Sequence, residues 1–238
     1  MELISTIALW IHIAAGFTAF FVGPGAMLTK KGKLWHRRWG KVFFWGMAVV
    51  AGTALVLTKV QPDKFLTLVA IFSFYSAFSG YRVLYHKRPD KGQLPKSFDW
   101  IAAGITLTTG IGLLYMGLFN IGTFEFRFQP IMFTFGIICI GLAGSDIRRF
   151  LAEFNADTDK YNWWYTHMGN MTGAYIAAVT AFSAVNFSFL PPVVRWLWPT
   201  FLGVPALIIW TRYYRKKFEG KSVMAKSALP EKGSLGNI

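Results

Sequence analysis

At 238 residues, 54% hydrophobic, 18% aromatic and only 15% charged, the chain is too poor in charge for an ordinary soluble domain, which carries about 25%. Its net charge of +14 would mark a nucleic-acid binder in a soluble protein, but here the Lys and Arg residues lie in short stretches between apolar segments, where membrane insertion places them whatever the partner. That argues against nucleic acid, and the single cysteine, Cys139, excludes an intrachain disulfide.

Seven segments approach the ~20 apolar residues a helix needs to cross ~30 Å of hydrocarbon. They run over about 4–28, 40–59, 65–85, 99–120, 129–147, 164–188 and 192–212. The expected fold is all-α: a polytopic seven-helix transmembrane bundle. The first segment reads as a retained helix, because Met1-Glu2 offers no basic n-region and no small-residue cleavage site accompanies Gly23-Pro24-Gly25. Pro24 is expected to end that helix ahead of Lys30 and Lys31. Turn chemistry at Gln61-Pro62-Asp63 and Leu190-Pro191-Pro192 separates later spans. Beyond Arg212 the chain turns basic and polar. Its first turns are expected to extend the last helix over anionic headgroups, and 213–238 as a whole reads as a disordered tail.

The charges orient the spans. Six Lys/Arg fall in 29–41, five in 82–97, three in 146–163 and seven from Arg212 onward, whereas the alternate connections hold only Lys59, Lys64, Arg127 and Arg195. By the positive-inside rule the N-terminus lies outside and the C-terminus in the cytoplasm, which makes this a multi-pass inner (plasma) membrane protein. Trp35, Trp39, Trp100, Trp163, Trp164, Tyr213 and Tyr214 are expected to flank the inner ends, and Trp196 and Trp198 an outer one. Within the spans, Gly104, Gly110, Gly112, Gly141, Gly144 and the Gly169-x-x-x-Gly173 motif predict close helix packing. Oligomeric state is open.

Four histidines carry the chemistry. His12 lies inside the first span, roughly 10 Å below its outer edge. His36 opens the second span, His86 closes the third and His167 opens the sixth, all at the inner level, where Asp99, Asp146, Arg82, Arg148 and Asn170 also gather. Interfacial residues of this kind snorkel, cap helix ends or meet lipid phosphate, and Lys87 and Arg88 make a solvated loop the simple expectation for His86. A second reading is ligation of haem b between imidazoles on facing helices, since an intramembrane histidine marks function by default. The different depths of His12 and His167 weigh against a shared iron. A third is a zinc site of His36, His86, His167 and Asp146, against which stands the lack of any H-x-x-x-H or H-E-x-x-H pair. Ion-coupled transport is disfavoured because no Asp, Glu, Lys or Arg falls mid-span, and a retinal protein because 197–210 has no lysine.

The run Ile11-His12-Ile13-Ala14-Ala15-Gly16, then Gly23-Pro24, then Trp35-His36-Arg37-Arg38-Trp39-Gly40-Lys41-Val42 resembles the opening of the domain-of-unknown-function 2306 group of bacterial membrane proteins. His167-Met168-Gly169-Asn170-Met171 is similar to that group's later histidine segment, although Met171-Thr172-Gly173 stands where W-M-x-R-S is often found. The resemblance is strongest over the first two helices. It implies a bacterial inner-membrane protein with His12, His36 and His167 as functional positions, and it implies no reaction.

The leading functional expectation is a histidine-ligated redox or cofactor-binding protein that exchanges electrons with quinone. His12, His36 and His167 would serve as ligands or cofactor neighbours, and Arg37, Arg38 and Arg82 would pair propionate or phosphate groups. The alternative is a non-enzymatic scaffold whose basic inner face binds anionic lipid headgroups.

Overall fold

Long runs of Leu, Ile, Phe and Ala, broken only where glycine, proline and charge concentrate, wind into seven α-helices among the described residues. They are α1 Glu2–Leu28, α2 Leu34–Val60, α3 Lys64–Arg82, α4 Ser97–Phe119, α5 Gln129–Phe154, α6 Asn162–Asn186 and α7 Pro192–Ser227. The computed structural model describes residues 2–60, 64–119, 129–154 and 161–227, so the expected Gln61-Pro62-Asp63 turn lies outside the described residues. Six of the helices are long and apolar enough to cross a membrane, which makes this a multi-pass helical protein. The exception is α6, where Thr166, His167, Asn170, Thr172, Thr180 and Ser183 dilute the apolar character.

α1–α2, α4–α5 and α6–α7 pack as hairpins, and α3 joins them by packing on α2, α4, α5 and α6. α6 also meets α1, so its polar side chains face protein on several sides. Gly32, at φ 75°, takes the left-handed conformation that lets the chain reverse between α1 and α2. One core cluster gathers Phe65, Phe72, Phe135 and Trp196 with Leu113 and Ile131, and another gathers Ala19, Val22, Phe43, Met47, Ala77 and Ala174.

Four expectations change on contact with the fold. Pro24 does not end α1, which continues to Leu28; proline removes one backbone donor, and a helix in a bundle tolerates that loss. α5 extends beyond 147 to Phe154; α7 continues past 212 as expected, but as far as Ser227, so 213–227 is helical where a disordered tail was expected, and residues 228–238 lie outside the described residues. Trp196, near the start of α7, is buried against Phe65 and Phe135, with centroids 5.2 and 6.0 Å away, so it packs in the core and is not an exposed ring. Close helix approach does not use Gly169 or Gly173, where a Cβ would meet nothing within 4 Å. It occurs at Gly110 against Gly136, at Gly80 against Met171 and at Gly23 against Tyr175.

Candidate functional site

The turn from α1 into α2 carries the first functional side chain. Ala26, near the end of α1, has a carbonyl that no later turn of helix needs, and such orphan acceptors are satisfied by side chains. Thr29 donates to it at 3.1 Å, Lys31 at 3.4 Å and the His36 ring through Nδ1 at 2.9 Å. Lys31 also donates to the Met27 carbonyl and stands 5.4 Å from the centre of the Trp210 ring. Partial burial pushes its pKa below the ordinary lysine value.

His167, two turns into α6, sends Nδ1 to the Gly80 carbonyl of α3 at 2.7 Å. The His36 and His167 ring centres are 6.1 Å apart, with planes at 80°. A carbonyl can only accept, so Nδ1 donates in both rings, and in the corresponding neutral tautomer Nε2 is the acceptor nitrogen. Metal-binding histidines are held in this way, through the ring nitrogen that does not ligate. Imidazoles that share one metal at ~2.0–2.1 Å per bond place their centres about 5–6 Å apart, and the observed separation fits. The pair draws on three helices remote in sequence, which spacing alone does not show.

His12 belongs elsewhere. Its Nδ1 meets the Val50 carbonyl at 3.1 Å and Thr53 Oγ1 at 3.0 Å, so it ties α1 to α2. Along α1 it lies about 21 Å from Ala26 at 1.5 Å per residue. The expected grouping of His12 with His36 and His167 is therefore corrected to His36 and His167 alone.

His86 also departs from expectation. It is 3% exposed, not a loop residue in solvent, and belongs to a buried ionic network. Arg82 grips Asp99 with two bonds, Nε to Oδ1 at 2.7 Å and Nη2 to Oδ2 at 2.9 Å. His86 Nε2 faces Asp99 Oδ2 at 3.5 Å, and its Nδ1 faces Glu153 Oε2 at 3.8 Å. Arg149 bonds Glu153 at 2.8 Å and Asp146 at 2.9 Å. Asp146 also accepts from Tyr75 at 2.7 Å and from Ser79, which in turn accepts from Asn170 at 2.8 Å. One chain of polar contacts thus links α3, α4, α5 and α6.

This network corrects three further assignments. Arg82 is committed to Asp99 and is not free to hold a propionate or phosphate. Asp146 is held by Tyr75, Ser79 and Arg149, and no group of three or more His, Cys, Asp or Glu side chains among the described residues is arranged for one metal ion. The expected zinc set of His36, His86, His167 and Asp146 is therefore not assembled. The cation beside Asp146 is Arg149, while Arg148, expected at the same level, has an exposed side chain outside the network. Arg149 and Glu153 were the residues that sequence reading missed. Their signal was the Asp146-x-x-Arg149-x-x-x-Glu153 spacing on one helical face, hidden by ending the fifth span at 147. Arg37 and Arg38 are exposed and line a shallow groove with Leu34 and Lys41.

No family model, curated protein or solved structure matches this chain.

Proposed function

We propose that this is a multi-pass protein of a bacterial plasma membrane, N-terminus outside and C-terminus in the cytoplasm, that binds a redox cofactor of the haem b type through His36 and His167. One observation carries the reading: two imidazoles with ring centres 6.1 Å apart, each anchored through Nδ1 on a backbone carbonyl. A porphyrin supplies four of the iron's six ligands, so two histidines complete the set, whereas catalytic zinc wants three protein ligands. When bound, the iron supplies one-electron chemistry, with quinone as the exchange partner. The chain's part is to fix both ring orientations through Ala26 and Gly80. The pair falls at the end of the bundle that bears the basic stretches, so by the positive-inside rule it lies on the cytoplasmic side.

The test is a dithionite-reduced minus air-oxidised visible spectrum of the detergent-purified protein from haem-replete cells. A b-type band near-stoichiometric with protein is expected. His36→Ala and His167→Ala should each abolish it at unchanged protein yield, and His12→Ala should leave it intact. A flat wild-type spectrum, or loss of the band in His12→Ala alone, rejects the assignment.

The exposed Arg37, Arg38 and Lys41 around their groove favour a second reading, an anionic-lipid-binding scaffold. In that case Arg37→Ala with Arg38→Ala weakens retention on anionic vesicles, while the histidine variants are silent. Basic residues near a charged bilayer contribute about 1 kcal/mol each, so the double variant should bind roughly 30-fold less tightly.

A further inference from the structure

The buried network contains two unsatisfied atoms that face each other. Among the described residues His86 Nδ1 and Glu153 Oε2 have no hydrogen-bond partner; they lie 3.8 Å apart and belong to side chains only 1% and 3% exposed. A buried polar atom without a partner costs free energy, and two of them pointing at one another suggest something that belongs between.

Charge identifies it. The guanidiniums of Arg82 and Arg149 stand against the carboxylates of Asp99, Asp146 and Glu153, so among the described residues the cluster holds one uncompensated negative charge when the imidazole is neutral. Leaving a net charge in a low-dielectric interior is expensive. One proton removes it. An imidazolium donates from both nitrogens, with Nε2 toward Asp99 and Nδ1 toward Glu153, and so reaches both carboxylates at once. A neutral ring can serve only one of them.

The surroundings support a proton rather than a metal ion. From α3, Arg82 Nη2 lies 3.4 Å from His86 Nε2 and can only donate, so it opposes a proton on that nitrogen, and the Asp99 carboxylate that both groups face has to outweigh it. From α4, Asp99 is also capped by the Lys96 backbone N–H at 2.8 Å. From α5 come Glu153, Arg149 and the Phe150 ring, whose centre is 6.4 Å from that of His86. From the α6 side, the neighbouring Lys87 is drawn away over Trp163, with Nζ 4.5 Å from the ring centre. Two arginines so close would repel a metal cation, while a single proton balances the set. Access is built in as well: the Arg82 side chain is 16% exposed, against 5% or less for the other members of these ion pairs.

We propose that His86 and Glu153 form a proton-binding site at the charged end of the bundle, which takes up and releases one proton per chain through the Arg82 edge. The proposal involves no cofactor and stands whether or not the His36–His167 pair binds haem.

The experiment is nitrogen NMR of the full-length protein with labelled histidine in lipid nanodiscs, titrated from neutral to alkaline pH, with proton release followed in parallel by an indicator dye. His86 is assigned through His86→Asn. In the wild type it should carry protons on both ring nitrogens at neutral pH and release about one proton per chain on the alkaline side. Glu153→Gln removes the uncompensated charge, so His86 should then be singly protonated at neutral pH, with that release lost. If Glu153→Gln fails to fold, Asp99→Asn makes the same change in balance and should discharge His86 likewise. A singly protonated wild-type His86 at neutral pH overturns the proposal, as does unchanged titration in a folded variant. An imidazolium that persists until the protein unfolds shows a fixed ion pair and overturns it equally.

Discussion

Arg149→Ala is expected to destabilise the fold by about 3–5 kcal/mol, the usual consequence of removing one partner from a buried charge pair. The side chain is only 5% exposed, and its guanidinium serves two carboxylates, Glu153 at 2.8 Å and Asp146 at 2.9 Å. Without it Asp146 keeps Tyr75 and Ser79, but Glu153 loses its 2.8 Å ion pair and stays buried. Arg149→Lys retains the charge without the fork, so it should fall between alanine and wild type. Arg148→Ala, one residue earlier and exposed, should change stability by no more than about 0.5 kcal/mol. Thermal or detergent-titrated unfolding of the three variants separates these outcomes. Equal losses in Arg148→Ala and Arg149→Ala would mean that the two have exchanged faces and that the network is wrongly assigned.

Gly110→Val should cost about 1–3 kcal/mol through overpacking. A Cβ at this position would stand 2.8 Å from Cys139 Cβ and from Ile140 Cγ1, and 3.0 Å from the Gly136 carbonyl oxygen. Gly136 meets α4 reciprocally, with Leu114 Cδ2 at 2.7 Å and the Gly110 carbonyl at 3.0 Å. Where the neighbour is backbone, relief requires the helices themselves to separate. Gly169→Ala and Gly173→Ala should be neutral or stabilising by up to about 1 kcal/mol, because alanine is the better helix former and both sites are open. The same unfolding assay decides between the seams. Destabilisation by Gly173→Ala with a silent Gly110→Val would return close packing to the Gly169-x-x-x-Gly173 motif.

The two sites differ in how visible they are before folding. His36 and His167 stand out because histidine is rare in this chain and both sit at span boundaries. That they share a space, while His12 does not, depends on which helices become neighbours. α2 and α6 barely approach, and their rings meet because α1 and α3 supply the carbonyls that orient them. The ionic network was harder to see. Asp99, Asp146 and Arg82 were legible as polar residues at one level, but Glu153 fell beyond the expected end of the fifth span, and His86 shared its neighbourhood with Lys87 and Arg88.

The number of helices and their order along the chain are determined by the sequence alone, though not where α5 and α7 end. Apolar length, charge spacing and turn residues are sums over neighbouring positions, and folding does not alter them. Pairing is not such a sum. Successive residues on a helix point about 100° apart, so whether Arg148 or Arg149 is buried turns on one step of rotation, and only the packing of α3 and α4 against α5 settles it. The tertiary structure likewise decided that His86 is enclosed and His12 serves α1 and α2 alone. Burial is a property of what covers a residue, and here the covering helices come from distant parts of the chain.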